Sequence, residues 1–386
     1  MSAADVISSL AGIAEGSPLA ELRAQRPESR DHAQGSYEAL FAPVESTGLS
    51  GLERYAVALR VVSHHAVPVA IDHYRAGLVA AGANEALVKA VESTSGTGSG
   101  AIPARLQAML AHADLLSTHP VDATPDSHQA LSDAGLSTGE IVTLSQIIAF
   151  LSFQVRAITA LQLMGGGTGA AEPSTTPVPA ASGATTPAPV LRPDADLKRP
   201  PAFTRDQLAW TPWLEPLDPE KATPRQAEGL ASRPPSPYFR LLGWDGDILR
   251  ERTATDLGIF YTHGGAPRAD RELAAAAASR LNGCIFCASV HARAAATYSK
   301  READIDRLLD LGIGDIPKLE LGDRWTAVVD LAVELARTPS TATTAHIENL
   351  RSLGLSELEI LDVAQAASFF SWANRLMLTL GEPHYA

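Results

Sequence analysis

The sequence predicts an all-α protein in which one helical domain is used twice in tandem. Three observations carry that expectation. Apolar residues recur at three- and four-residue spacings, nothing alternates with the period of two of a half-buried strand, and the two halves match at a fixed offset. In chain order, "LQAMLAHADLL" in the first half and "WTAVVDLAVELA" in the second have the helical spacing. "LSTGEIVTLSQIIAFLSFQVRAITALQLM" and "LSELEILDVAQAASFFSWANRLMLTL" each open on a serine cap before a long apolar-periodic run. "ADRELAAAAASRL" is a strong helix by propensity, and Asn282-Gly283 predicts a break before the next helix begins around the cysteines.

Residues 165–200 are rich in Gly, Pro, Ser, Thr and Ala, and offer little apolar surface to offset their ordering entropy. They read as a tether with a span of roughly 30 Å by random-coil scaling. The chain then divides into 1–164 and 201–386. An offset of 219 residues pairs Phe41 with Phe260, Glu53 with Glu272 (272 minus 53), Arg105 with Arg324, Ser137 with Ser356 and Arg156 with Arg375. The expected register runs without a gap from residue 17 to 156.

Composition narrows the function. With 386 residues the chain can build proper cores without disulfides or a structural metal. The first residues lack the basic and apolar pattern of a signal peptide, and no unbroken apolar run approaches 18 residues, so a cytoplasmic protein with no membrane partner is expected. The net charge of -13 argues against nonspecific binding to nucleic acid. Gly165-Gly166-Gly167 lacks the Lys and Ser or Thr of a phosphate loop.

Both cysteines fall in "RLNGCIFCASVHARAA". In a reducing compartment a CxxC pair points to redox chemistry or metal binding rather than to a static disulfide. On a helix, Cys284, Cys287 and His291 share one face, and the helix start favours a thiolate. Folding back at Asn282-Gly283 brings Glu272 to about the same depth as His291, roughly 15 Å and 12 Å from the turn. A zinc site with Glu272 or His263 as fourth ligand, and two simply buried thiols, are the plainer alternatives.

Glu272, eleven residues, Cys284-Ile285-Phe286-Cys287 and then His291 resembles the E-x11-C-x2-C-x3-H signature of the alkylhydroperoxidase D-like branch of the carboxymuconolactone decarboxylase superfamily. "SPYFRLLGWDGDILRERTATDLGIFYTHGG" and "RELAAAAASRLNGCIFCASVHA" resemble its peroxidase-related proteins. The resemblance covers most of 201–386 and implies an all-α fold that assembles into homo-oligomers. It implies Cys287 as peroxidatic thiol, Cys284 as resolving thiol, His291 as proton relay and Glu272 as its acidic partner. The substrate would be a hydroperoxide. The Cys284/Cys287 disulfide would be the only redox group, with no cofactor or metal, and an external dithiol of thioredoxin or lipoyl type would reset it. Phe286 departs from the pattern, standing where the best-known members carry another histidine.

In the expected register His65 replaces Cys284, Pro68 replaces Cys287 and Asp72 replaces His291, while Glu53 persists. The first half therefore reads as a degenerate copy that substitutes for one subunit contact, which makes a trimer of two-domain chains equivalent to a hexamer. His64, His65, His73 and Asp72 are poorly spaced for a metal cluster, Phe369, Phe370 and Trp372 are expected to fill core rather than bind a ring, although at an oligomer seam they could do either, and Tyr261 and His263 are ordinary loop residues or pocket lining. Two further functions stay open: a decarboxylase-like enzyme acting on a small lactone or acid, and a redox-sensing scaffold with slow turnover.

Overall fold

The structure is a computed structural model that describes residues 5–94, 102–180, 186–233 and 236–386. The first repeat contains α1 (Val6–Leu10), α2 (Pro18–Ala24), α3 (Pro27–Phe41), α4 (Gly51–His65), α5 (Pro68–Ala80), α6 (Glu85–Glu92), α7 (Ala104–Thr118), α8 (Pro125–Asp133) and α9 (Thr138–Leu163). After strand β1 (Leu208–Pro212), the second contains α10 (Pro224–Ala231), α11 (Pro237–Leu242), α12 (Gly246–Phe260), α13 (Arg268–Leu281), α14 (Ile285–Ser299), α15 (Glu302–Leu311), α16 (Asp323–Ala336), α17 (Thr344–Ser352) and α18 (Glu357–Thr379), closed by β2 (Gly381–Tyr385). The architecture is all-α. The antiparallel β1–β2 ribbon is the exception to the strand-free expectation. Its five-residue strands, one carrying Pro212 and the other Pro383, are too short and irregular to show alternation in sequence.

Equivalent helices start alike. Ser137 and Ser356 cap α9 and α18 through reciprocal boxes with Glu140 and Glu359, and Thr124 and Thr343 do so for α8 and α17. By length and composition α9 could cross a membrane, but its apolar stretch is wholly buried within the protein. There it packs on α18, as α3 packs on α12. Like therefore meets like, the signature of a two-fold relation. Residues 219 apart meet across the interface between the repeats: Phe153 stacks on Trp372 with ring centroids 5.7 Å apart, and His32 Nδ1 lies 2.7 Å from Glu251 Oε2. The two repeats share one continuous hydrophobic core. Phe369, Phe370 and Trp372 belong to it, with Trp372 at the seam between repeats.

The gapless register needs correction. The connection 42–50 before α4 has nine residues, whereas 261–267 before α13 has seven, so α4 and α13 start 217 residues apart (268 minus 51). The same shift relates α5 to α14 (285 minus 68), and the offset returns to 219 by α7 and α16 (323 minus 104), after an α15 two residues longer than α6. Glu53 is thus the counterpart of Asp270, not of Glu272. The ion pairs agree: Arg105 binds Glu53 and Glu140 at 2.8 and 2.6 Å, and Arg324 binds Asp270 and Glu359 at 2.8 Å each. Glu272, Cys284, Cys287 and His291 correspond to Tyr55, Val67, Ala70 and Tyr74 rather than to Glu53, His65, Pro68 and Asp72.

Residues 165–180 and 186–200 do not run as a free tether. The Gly167 N–H donates to Ala11 O at 2.9 Å, Tyr55 Oη donates to Ser174 O at 2.9 Å, and Ala188 N–H donates to Leu136 O at 2.9 Å. Backbone groups of a segment poor in apolar side chains are satisfied by the first repeat and, further along, by the second, where Leu191 N–H donates to Trp213 O at 2.8 Å; composition does not reveal this. Residues 181–185 lie outside the described part.

Candidate active site

The second repeat places its chemistry on the α13–α14 hairpin. Ala-rich α13 lets neighbouring helices approach closely, and it ends at Asn282 as the sequence predicts. Gly283 then takes φ +78°, where a Cβ would also collide with Val121. Cys284 is the N-cap of α14, held by its N–H donating to Ser279 O at 2.9 Å. Cys287 lies in the first turn and His291 one turn later.

Glu272 and His291 meet as the hairpin predicts. His291 Nδ1 lies 2.5 Å from Glu272 Oε2, and a carboxylate can only accept, so Nδ1–H donates and Nε2 remains for chemistry. Arg268, one turn before Glu272, donates Nε–H to its other oxygen at 2.5 Å. Glu272 is 1 % exposed. Burial alone would raise its pKa, but the charge and hydrogen bond of His291, and then those of Arg268, outweigh it and hold the carboxyl below its ordinary value. Phe260 and Phe370 pack on the imidazole, with centroids 5.5 and 4.0 Å away.

A cavity of about 580 Å³ opens onto this group, with Cys287, His291, Glu272 and Phe286 in its wall. Strand β1 supplies another wall through Trp210, and Phe369 and Phe370 contribute as well as filling core. Tyr261 lines it too; His263 does not, and its carbonyl accepts from Arg26 Nη1 at 3.3 Å. Cys284 is absent from the wall. It sits buried behind Cys287, near Asn374, whose Nδ2–H donates to Ser279 Oγ at 3.0 Å, and both cysteines are free thiols. The helix start does not depress the Cys284 thiol: burial, followed by its bond to the neighbouring Cys287, pushes its pKa well above the ordinary value.

Among the described residues no three His, Cys, Asp or Glu side chains converge to hold a metal ion. In the first repeat His64 pairs with Asp114 at 2.7 Å, His73 bonds Tyr37 Oη at 3.0 Å, and His65 is buried 3.4 Å from Ser152 Oγ. They serve separate structural contacts. Sequence reasoning missed Arg268, although its spacing to Glu272 is that of a helical ion pair. It also missed Asn374, Tyr238 and Arg252, which arrive from α18, α11 and α12 with no sequence signal linking them to the cysteines.

The α12–α14 segment that carries this site, together with α15, is also where family similarity concentrates. Residues 246–313 match the carboxymuconolactone decarboxylase family. No curated protein matches the chain. The similar solved structures include two peroxidase-related proteins. One, an alkylhydroperoxidase AhpD core described as an uncharacterized peroxidase-related protein from Ralstonia eutropha JMP134, has 25% identity and a TM-score of 0.32, over 36% of this chain and 70% of that one. The other, an uncharacterized peroxidase-related protein from Silicibacter sp. TM1040, has 22% identity and a TM-score of 0.33, over 37% of this chain and 74% of that one.

Proposed function

We propose that the second repeat is a thiol-dependent peroxidase, or a dithiol–disulfide oxidoreductase using the same thiols. The observation that carries this is the division of labour at the cavity: Cys287 faces it beside the Glu272–His291 pair, and Cys284 stands behind. The Cys287 thiolate attacks the distal oxygen of a hydroperoxide. The O–O bond breaks, the leaving alkoxide takes a proton from His291, and Cys287 becomes a sulfenic acid. Cys284 then attacks that sulfur, releasing water and forming a disulfide. An external dithiol, of thioredoxin or lipoyl type, takes up the oxidising equivalents. Assembly as a trimer of these fused chains belongs to the same proposal.

The test is a free-thiol titration before and after one equivalent of an organic hydroperoxide. Wild type is expected to lose two thiols, Cys284→Ser to stop at a trappable sulfenate, and Cys287→Ser to react barely at all. Unreacted wild-type thiols would overturn the peroxidase reading. The family match supports a second reading, decarboxylase-like turnover of a small lactone or acid. Turnover of such a substrate by a Cys284→Ser/Cys287→Ser double variant would favour it.

A further inference from the structure

The cavity contains a cation that no described residue neutralises. Three arginines line it. Arg233 pairs with Asp256 and Arg268 with Glu272, but Arg252 makes no ion pair or hydrogen bond to any described residue. It is 3 % exposed, its Nε is buried without a hydrogen-bond partner among the described residues, and its guanidinium lies over three rings: Phe369 at 5.1 Å, Trp372 at 5.7 Å and Tyr238 at 5.9 Å. Cation–π attraction offsets only part of the cost of desolvating a guanidinium. Beside it, the Tyr238 hydroxyl is likewise buried with no hydrogen-bond partner among the described residues, and Tyr238 too lines the cavity.

Two adjacent unused donors, one of them charged, are set in a wall otherwise made largely of Phe260, Phe286, Val290, Phe370 and Met377. The positions 219 residues earlier, where α2 matches α11 and α3 matches α12, carry Leu19 and Ala33. The donors therefore accompany the thiols and are absent from the copy without them.

We propose that the cavity binds an apolar molecule through a carboxylate head group held by Arg252 and Tyr238. One unmatched positive charge suits a monoanion, and a guanidinium fork with a neighbouring hydroxyl suits two carboxylate oxygens. Taken with the thiol chemistry, on which this extension rests, the substrate is a hydroperoxide of an apolar organic acid. The volume of about 580 Å³ is within the range of small-molecule sites.

The test uses octanoate and octanol as unreactive probes, titrated into the reduced full-length protein by calorimetry. Octanoate is expected to bind roughly tenfold or more tightly than octanol, and Arg252→Gln to weaken octanoate alone by roughly tenfold to a hundredfold. Arg252→Lys should keep part of the preference. Tyr238→Phe, which retains the ring, should weaken octanoate severalfold even if the Arg252 variants fail to fold. Equal affinity for the two probes, or octanoate binding indifferent to these substitutions, would overturn the proposal. Neither probe can oxidise a thiol. Octanoate binding without peroxide reactivity therefore keeps the anchor and rejects the peroxidase, and peroxide reactivity without octanoate preference does the reverse.

Discussion

The α4–α5 and α13–α14 hairpins are built on the same frame and end in opposite states, one filled and one open. Both begin beneath an arginine that bridges an acid in the hairpin to the capping glutamate of the long helix. Their inner faces then diverge. Tyr55 and Tyr74 stand where Glu272 and His291 do, and pack with Phe41 at centroid distances of 5.1 and 5.2 Å. The Tyr74 hydroxyl donates to Gln154 at 2.6 Å, and Gly77 leaves room for the Tyr55 ring, which a Cβ there would strike. The chain after α9 closes over this side through Ser174, whereas the chain after α18 turns into β2 and pairs with β1, a cavity wall. The frame is specified by caps and ion pairs. Whether it holds a site is decided by a few inner-face side chains and the segment that follows the long helix.

The widest separation between the two hairpins should appear in stability. Tyr74→Ala removes a fully buried ring and is expected to cost about 4 kcal/mol, while His291→Ala, on a cavity wall, should cost about 1 kcal/mol. Equal losses in urea unfolding would break the filled-versus-open distinction. A second contrast lies across the two-fold. Asp362 accepts from Arg26 at 2.7 Å and from Arg271 at 3.1 Å, and its counterpart Thr143 donates to Asp245 at 2.7 Å. Asp362→Asn should therefore cost about 3 kcal/mol by stranding buried guanidiniums, against about 1 kcal/mol for Thr143→Val. The same unfolding assay checks both.

A third contrast concerns the chemistry and its pH dependence. Glu272→Gln should slow thiol oxidation by roughly a hundredfold, because His291 loses the carboxylate that orients it. It should also flatten the acid limb of stability. The Glu272 pKa is depressed in the folded protein, so its contribution is present above the ordinary value of 4.5 and is lost as pH falls through the folded value. At the equivalent position Tyr55 carries a pKa raised chiefly by burial, and contributes nothing in that window. Stability profiles from pH 6 to 3 that coincide for wild type and Glu272→Gln would remove the proposed electrostatic role.

Local physics made much of this protein legible in the sequence. Helical periodicity, serine caps and the Asn282-Gly283 break placed the long helices and the hairpin, and hairpin arithmetic brought Glu272 to His291. Each of these depends on neighbours within a few turns, so a linear reading captures them. The two-residue slip between repeats was hidden, because one shorter connection and one longer helix cancel over the full length and a chance Glu53–Glu272 match masks the difference. The burial that raises the Cys284 thiol pKa depends on what packs around the helix start, which the dipole argument omits. Tertiary structure alone decided that residues 165–180 lie along the first repeat, that like helices pair across a two-fold, and that Arg252 and Tyr238 reach the thiol cavity without a hydrogen-bond partner among the described residues. These outcomes are set by contacts between segments far apart in the chain, where desolvation and shape act and sequence spacing has no authority.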